Sequence, residues 1–217
     1  MPVEFSLSGD KVQLLEFIIR KEVLEPKDLP LIKPPDVDPS KPLIISGRGP
    51  HWLYQFLVHR YHFCRILATF EPRMGKGVIV ESPSSEEIGM SLDTDGKISE
   101  QRIGAEGSLY LDILKLSNFQ LAYVKVEGSF AEPLKMREVE WNKLRDSVDQ
   151  EKPVIFYGMA PIWLGARTAA VLSNVPCWYA VYDPRIGGAV VTARHSPKAP
   201  DVGSVVRTEL KIVENKE

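Results

Sequence analysis

The sequence has 217 residues, of which 44% are hydrophobic and 26% charged, and its formal net charge is −2. These values are typical of a globular chain with one large or two small domains, and they disfavour a protein that follows a long nucleic acid, which would usually be basic. A small anionic ligand held by a few arginines stays compatible. Two cysteines are too few for a disulfide framework or a zinc cage. No apolar run could span a membrane and the first residues do not begin a secretory signal, so we expect a cytoplasmic protein.

The first part of the chain predicts a small α/β unit. Its predicted elements are, in chain order, a hairpin at 3–7 and 12–19, a proline-rich loop at 27–42, a buried strand at 43–46, a helix at 51–63 and two further strands on either side of Glu71-Pro72-Arg73. A strand, a helix and a strand in succession imply a right-handed crossover between parallel strands. We therefore predict a small α/β unit with a mixed sheet.

The second part of the chain repeats the first. The matching pairs are QLLEFIIRKEVLEP (13–26) with QLAYVKVEGSFAEP (120–133), PLIISGRGPHWL (42–53) with PVIFYGMAPIWL (153–164), and FEPRMGKGVIV (70–80) with YDPRIGGAVVT (182–192). Their order is kept and their offset changes only from 107 to 112 residues. An ordered set of matches of this kind indicates a tandem repeat.

The repeat predicts the organisation of the whole chain. We assign copy one to residues 1–92, a polar linker to 93–107 and copy two to 108–217. Copy two differs by a predicted helix within 134–152, and its second helix is expected at 162–173. The predicted fold class is α/β, with two tandem copies of a small unit on a mixed sheet, packed as an internal pseudo-dimer.

Glycine turns follow the first buried strand of each copy. In open α/β sheets ligands bind beyond the carboxyl ends of the strands, which is where these turns lie. Gly47, Gly49 and Gly158 let the backbone approach a ligand, and the start of the next helix offers free N–H groups to a phosphate. Arg48 adds a guanidinium there. The alternative is that the glycines only permit a tight strand-to-helix turn.

The helix of copy one carries a polar stripe. At 100° per residue, Gln55, His59 and His62 share one narrow face of an otherwise apolar helix, which favours a ligand pocket. A solvent-facing stripe is the alternative. The matching positions of copy two hold small residues, which would suit a face buried against copy one: Ala166, Ala170 and Ser173.

The strand-end turns pair a carboxylate with an arginine. Glu71 stands with Arg73 in copy one and Asp183 with Arg185 in copy two. Such turns can hold a structural ion pair, and arginine there also suits a bidentate phosphate contact. Copy two adds His195 after its last long strand. Each copy thus holds a different part of one possible site.

These motifs resemble a known family. The stretch ISGRGPHWLYQFLVHRYH, a DPR(I/M)G-type turn and AVV followed by a histidine are similar to the CRISPR-associated Csx-three family of ring nucleases, most clearly at 42–82 and 153–196. Members are about half as long as this chain. The resemblance implies binding and cleavage of cyclic tetra-adenylate, the messenger made by type III CRISPR effector complexes, and thereby the silencing of the nucleases that it activates. It also implies a dimer working in higher assemblies that sandwich the ligand, so we expect a homo-oligomer or head-to-tail assembly.

The resemblance also implies a set of site residues. They are Ser46, Gly47, Arg48 and Gly49 on the ligand loop, His62 on the helix, Glu71 with Arg73 at the turn, and Gly158, Asp183, Arg185 and His195 in copy two. Both copies depart from the family pattern. Copy one has Glu71 in place of aspartate and lacks the later histidine, while copy two has Met159-Ala160 in place of Arg-Gly and Ser173 in place of the helix histidine. One full set per chain must therefore combine both copies.

The expected reaction needs no metal. The RNA 2′-hydroxyl can attack the neighbouring phosphate if it is held in line, with Arg73 or Arg185 stabilising the charge and His62 protonating the leaving 5′ oxygen. We expect no required cofactor. Two alternatives stay open: a non-catalytic binder or sensor of the cyclic messenger, and a Mn²⁺-dependent RNA exonuclease that trims adenylate tails and uses His59, His62 and acidic residues as ligands.

Overall fold

The computed structural model describes residues 1–208, which form two β-sheets with two long helices between them. The first sheet contains, in chain order and in spatial order, β1 (Val3–Ser8), β2 (Gln13–Ile19), β3 (Leu43–Gly47), β4 (Leu67–Glu71), β5 (Lys76–Glu81), β6 (Ser91–Leu92) and β7 (Ile98–Ser99). The second contains β8 (Ser108–Lys115), β9 (Gln120–Glu127), β10 (Val154–Tyr157), β11 (Trp178–Asp183), β12 (Gly188–Arg194) and β13 (Val205–Val206). The α-helices are α1 (His51–Tyr61), α2 (Trp141–Ser147) and α3 (Ile162–Leu172), and 3-10 turns span Pro26–Leu31, Ser85–Glu87 and Pro133–Glu138.

The two sheets have the same strand pattern. In each sheet the first two strands form an antiparallel hairpin, the second, third and fourth strands are parallel, and the later strands are antiparallel. Leu15 lies beside Ile45 in the first sheet, as the equivalent Ala122 lies beside Phe156 in the second. This pattern confirms the predicted fold class of two tandem α/β copies with mixed sheets.

Each helix packs on the sheet of the other copy as well as beside its partner helix. Helix α1 lies against β11 and β12, helix α3 lies against β4 and β5, and the two helices contact each other. One continuous hydrophobic core therefore runs from the first sheet through both helices to the second. Leu57 of α1 and Leu172 of α3 are fully buried in it. The two copies are joined by this core and not only by the chain.

The second sheet also has a small apolar cluster on its outer face. Because successive strand residues point to opposite faces, the neighbours of the core residues point outwards. The buried members of this separate outer cluster are Leu121, Ile155, Ala180, Ala189 and Val191.

The segment 93–107 is more ordered than a free linker would be. Ile98–Ser99 form β7 and extend the first sheet. Farther along, the buried carboxylate of Glu132 accepts hydrogen bonds from the backbone N–H groups of Ile103 and Ala105. The segment is thus attached to both copies, because a buried carboxylate requires donors and the chain supplies them here.

The helices of the structure differ slightly in extent from the predicted ones. Helix α1 ends at Tyr61 and α3 at Leu172. The helix predicted within 134–152 is divided into the 3-10 turn Pro133–Glu138 and the short helix α2. The last part of the predicted copy two, residues 209–217, lies outside the described residues.

Candidate functional site

The glycine turns lie at the same end of the molecule in both copies. Each connects a parallel strand to a helix. The first begins at Gly47, the last residue of β3, and the second at Gly158, directly after β10. His51, the first residue of α1, donates a hydrogen bond from Nε2 to the carbonyl oxygen of Ala160 at 2.8 Å, which joins the two turns across the copies. We call this end the loop end. It contains the two glycine turns and the two turns that follow Glu71 and Asp183.

The two strand-end glycines have a packing role. Gly47 has a φ of 152° and Gly158 a φ of 133°, a region that favours glycine. A Cβ at Gly47 would lie 2.6 Å from the carbonyl oxygen of Phe17, and one at Gly158 would lie 1.8 Å from that of Val124. Both glycines are therefore required by the neighbouring strand, whether or not a ligand approaches them. The alternative interpretation, in which these glycines only permit a tight strand-to-helix turn, is therefore sufficient to explain both residues.

The side chains of the glycine turns differ between the copies. Arg48 is exposed at the tip of the first turn, and Met159 is 90% exposed at the tip of the second. The following prolines, Pro50 and Pro161, are the N-caps of α1 and α3, and neither helix start has a side-chain cap. The helix starts therefore keep backbone N–H groups available to an anion, and copy one adds a guanidinium to them.

The Asp183 turn is closed by its own arginine. Arg185 donates from Nε and Nη2 to the two carboxylate oxygens at 3.0 and 2.7 Å, and Trp52 of α1 donates from Nε1 to Oδ2 at 3.2 Å. Burial alone would raise the pKa of Asp183, but the hydrogen bonds and charge of Arg185 outweigh it and lower that pKa below its usual value. Asp183 is therefore ionised at neutral pH, while the Arg185 side chain is 74% exposed and reaches solvent.

The Glu71 turn is more open. Arg73 Nε is 4.0 Å from Glu71 Oε1, and the guanidinium lies over the ring of Phe130 from copy two at 3.6 Å from the ring centre. Arg73 and Phe130 line a cavity of about 320 Å³ together with Met159, Pro161 and Trp163. The longer glutamate side chain thus leaves Arg73 stacked on an aromatic ring, where its donors are not held in a bidentate pair.

Three of the four histidines lie together at the opposite end. The ring centres of His59 and His195 are 5.3 Å apart, and those of His59 and His62 are 5.9 Å apart. Ser173 of copy two lies between them: its hydroxyl is 3.1 Å from Nδ1 of His59, and its carbonyl accepts a hydrogen bond from Nε2 of His195 at 2.7 Å. We call this group of three histidines and Ser173 the histidine end. It combines side chains of both copies within one chain.

Burial and mutual repulsion keep one of these rings neutral. Burial, followed by the nearby charges of His195 and His62, lowers the pKa of His59 to about 4. His62 is exposed at the end of α1. The Nε2 of His195 is used as a donor to Ser173, so a neutral His195 ring presents Nδ1 as a proton acceptor. The histidine end can therefore offer both an acceptor and an exposed imidazole.

The two ends are separated by the length of the helices. Helix α1 has 11 residues, so it is roughly 16 Å long from one end to the other. Arg48, Arg73 and Arg185 belong to the loop end, whereas His62 belongs to the histidine end. The residues expected to form one site thus lie at two ends of the same chain.

Two further residues occupy places that the sequence did not predict. Gln55 was expected on the ligand stripe, but it is fully buried, and its Oε1 accepts a hydrogen bond from Tyr179 at 2.8 Å. The stripe on α1 faces α3, whose small residues admit it, so Gln55 belongs to the helix interface; its assignment to the ligand is corrected. Ser46 lines a cavity on the outer face of the first sheet with Glu16 and Phe70.

Two residues of the loop end were not predicted from the sequence to have a role there. Trp52, which contacts Asp183, and Phe130, which supports Arg73, carried no predicted role. The tryptophan had a visible signal, because Pro-x-Trp-Leu recurs in both copies. Phe130 had none, because it contacts Arg73 from a distant part of the chain.

Within residues 1–208, no group of three or more His, Cys, Asp and Glu side chains is placed to hold a metal ion. In the same residues, every helix is too short or too polar to cross a membrane.

The family is shown by sequence comparison. The model of the family described as CRISPR-associated protein (Cas_csx3) matches twice, at residues 17–93 and 131–207, and these matches cover well over half of the chain. The chain therefore belongs to this CRISPR-associated family and carries its unit twice. A protein of Aquifex aeolicus (strain VF5), described only as an uncharacterized protein, is 38% identical over 93 residues, which are 41% of this chain and 83% of that protein.

Proposed function

We propose that this protein is a ring nuclease, which binds cyclic tetra-adenylate and opens it to linear adenylates without a metal ion. The observation that carries the proposal is the pairing of a loop end rich in arginine with a histidine end built from both copies. Family membership supports a role in CRISPR systems, and the ligand is the one that the sequence motifs imply. The slight negative net charge suits a small anion that local arginines recognise.

The loop end and the histidine end of one molecule are too far apart to act on the same phosphate. A ligand on the loop end of one molecule lies roughly 16 Å from the histidines of that molecule. We propose that the histidine end of a second molecule faces it, so that molecules stack head to tail with the ligand between them. Contacts of this kind are heterologous, and they allow every molecule to use both of its ends.

The chemistry divides between the two ends. The 2′-hydroxyl oxygen attacks the adjacent phosphorus, the bond from phosphorus to the 5′ oxygen breaks, and a 2′,3′-cyclic phosphate remains. The imidazole of His195 takes the 2′ proton at Nδ1, and His62 gives a proton to the leaving 5′ oxygen. Arg48 and the helix start bind phosphate, while Arg73 and Arg185 stabilise the negative charge that grows in the transition state.

Two substitutions separate binding from chemistry. His62→Ala should lower kcat about 100-fold or more with little change in Kd, because a general acid acts mainly in the transition state. Arg48→Ala should raise Kd, because a phosphate contact already exists in the ground state. Chromatography of the products and calorimetric titration measure the two quantities. If His62→Ala cleaves at the wild-type rate, the catalytic assignment is wrong.

A mixing experiment tests the shared site. In a head-to-tail stack, the intact loop end of His62→Ala protein can meet the intact histidine end of Arg48→Ala protein. At a ligand concentration below the Kd of the Arg48→Ala variant, the mixture should therefore regain part of the activity that each variant lacks alone. Purely additive activity would contradict a site shared between molecules.

A chelator separates the proposed reaction from the alternatives. Turnover in excess EDTA should equal turnover without it. If EDTA abolishes turnover and Mn²⁺ restores it, the protein is a metal-dependent nuclease. If cyclic tetra-adenylate binds but is recovered intact after long incubation, the protein is a binder of the messenger and not an enzyme.

A further inference from the structure

Four tyrosines lie side by side across the outer face of the second sheet. Tyr110, Tyr123, Tyr157 and Tyr182 come from the neighbouring strands β8, β9, β10 and β11. From one ring centre to the next the distances are 6.1, 6.3 and 5.1 Å. Tyr110 is 47% exposed and the other three are half-buried. We call these four residues the tyrosine row.

The row lies on the side of the sheet that faces away from the helices. Tyr157 and Tyr182 pack on the outer apolar cluster, which is separate from the core between the two sheets. Tyr123 is the register partner of Tyr157 and of Asp112 on β8, so it points to the same side. The tyrosine row therefore runs perpendicular to the strands on a surface of the sheet that is open to solvent.

The first sheet shows that the fold does not require this row. By strand register and repeat alignment, the positions equivalent to the four tyrosines are Glu4, Glu16, Ser46 and Phe70. Three of these four residues are polar, although the two sheets have the same strand pattern. A feature present in one copy of a repeated scaffold and absent from the other indicates a role beyond stability.

We propose that the tyrosine row binds a short single-stranded RNA by stacking its bases, with the linear adenylate released by ring opening as one source. Only the identification of that source rests on the proposed function. Aromatic side chains on adjacent strands of an open sheet stack successive bases, because every base has an aromatic face. One ring per strand, at spacings of 5.1 to 6.3 Å, offers a separate contact to each of three or four bases.

Charged groups beside the row favour a nucleotide chain over an apolar protein surface. Lys125 is the register partner of Tyr110 on the same face, and its ion pair with Glu127 is exposed and therefore weak. At the other end, the exposed Arg185 follows Tyr182 by three residues. A cation near each end can meet a phosphate. Between them, Asp112 accepts a hydrogen bond from the Tyr110 hydroxyl at 3.3 Å; its carboxylate interrupts a continuous apolar contact and repels phosphate, so the phosphates are expected at the two ends of the row.

Fluorescence anisotropy with a fluorescein-labelled linear tetra-adenylate, added to the full chain, tests the proposal. The double substitution Tyr123→Leu with Tyr157→Leu should raise Kd by about tenfold or more, since each stacked base contributes substantially. The double substitution of the same residues to Phe should keep Kd within about threefold, because the rings remain. Phe70→Leu, at the equivalent position of the first sheet, should leave Kd unchanged. Unchanged binding by the leucine double variant would overturn the proposal.

Two further measurements keep the test independent of folding and of the proposed enzyme activity. Ultraviolet cross-linking of the wild-type protein to the same RNA should place cross-links on peptides that contain Tyr123 or Tyr157; cross-links confined to other regions would contradict the row. If the leucine variant instead keeps its RNA affinity and changes only its sedimentation, the row is a contact between protein copies and the proposal fails. Cleavage of cyclic tetra-adenylate by the leucine variant should stay at the wild-type rate, so failure of the row and failure of the ring nuclease are distinguishable.

Discussion

Trp52 and Trp163 occupy equivalent positions in the two copies but use their indole nitrogens differently. Both side chains are almost fully buried, at 1% and 2% exposure. The N–H of Trp52 donates to Asp183, whereas that of Trp163 has no hydrogen-bond partner among the described residues. The residue equivalent to Asp183 is Glu71. Its Oε1 accepts the backbone N–H of Arg73, as Oδ1 of Asp183 accepts that of Arg185, but it accepts no hydrogen bond from Trp163. One additional methylene in that side chain coincides with the loss of the contact.

This difference gives a matched pair of substitutions. Trp52→Phe and Trp163→Phe remove similar volume from similar surroundings, but only Trp52→Phe removes a hydrogen bond to a carboxylate. Trp52→Phe should therefore lower the free energy of unfolding by about 1–2 kcal/mol more than Trp163→Phe does. Urea denaturation at pH 7 measures both values. Equal losses would show that the Trp52 hydrogen bond adds nothing to stability.

His59 should make stability depend on pH. Its pKa is lowered from 6.5 to about 4, first by burial and then by the charges of His195 and His62. The unfolded chain thus binds more protons than the folded chain between these two values, so the stabilising effect is complete above pH 6.5 and is lost as pH falls towards 4. From pH 7.5 to pH 5, the wild-type protein should lose about 1–2 kcal/mol more unfolding free energy than His59→Phe.

Urea titrations at the two pH values measure this difference. The lower value is kept at pH 5 because the carboxylates with lowered pKa values, such as Asp183 and Asp28, titrate at still lower pH. Parallel pH profiles for the wild-type protein and His59→Phe would show that the ring is not held neutral by its surroundings.

At the scale of elements, the close contact between α1 and α3 explains the unequal composition of the two helices. The polar stripe of α1 faces small residues of α3, and Gly165 of α3 lies against His51 and Gln55 of α1. A Cβ at Gly165 would lie 2.7 Å from Nδ1 of His51 and 2.9 Å from Nε2 of Gln55. The glycine is needed for packing here, although glycine disfavours a helix by about 1 kcal/mol relative to alanine.

Gly165→Ala should therefore destabilise the protein by about 1–3 kcal/mol, despite the better helix propensity of alanine. In a His51→Ala background the same substitution should cost less, because the nearest contact has been removed. A double-mutant cycle from urea denaturation gives the coupling between the two sites. A coupling near zero would mean that the helices move apart freely at this point.

At the scale of the whole molecule, the two copies should unfold together. The core is continuous across both sheets, and each helix contacts strands of the other copy. Leu57→Ala in copy one and Leu172→Ala in copy two should each lower the unfolding free energy by about 2–5 kcal/mol and shift a single transition. Tryptophan fluorescence and circular dichroism should give coincident curves for each variant. Two separated transitions would indicate copies that fold independently.

Much of this architecture can be predicted from local patterns in the sequence. The repeat, the glycine turns and the start of each helix depend on residues that are close in the chain, where hydrophobic period and turn chemistry are informative. Comparison of the copies also indicated that His59 and His62 of one copy complement His195 of the other. The three side chains are neighbours in the structure.

The tertiary structure alone decided where these groups lie relative to one another. Helical periodicity places Gln55 and His59 on one face but cannot say that α3 covers that face, because the covering surface comes from the other copy. The separation of Arg48 from His62 follows from the direction and length of α1. The tyrosine row depends on the register of four strands that are distant in sequence. Local sequence patterns are short-ranged, whereas these relations arise only when both copies pack on one core.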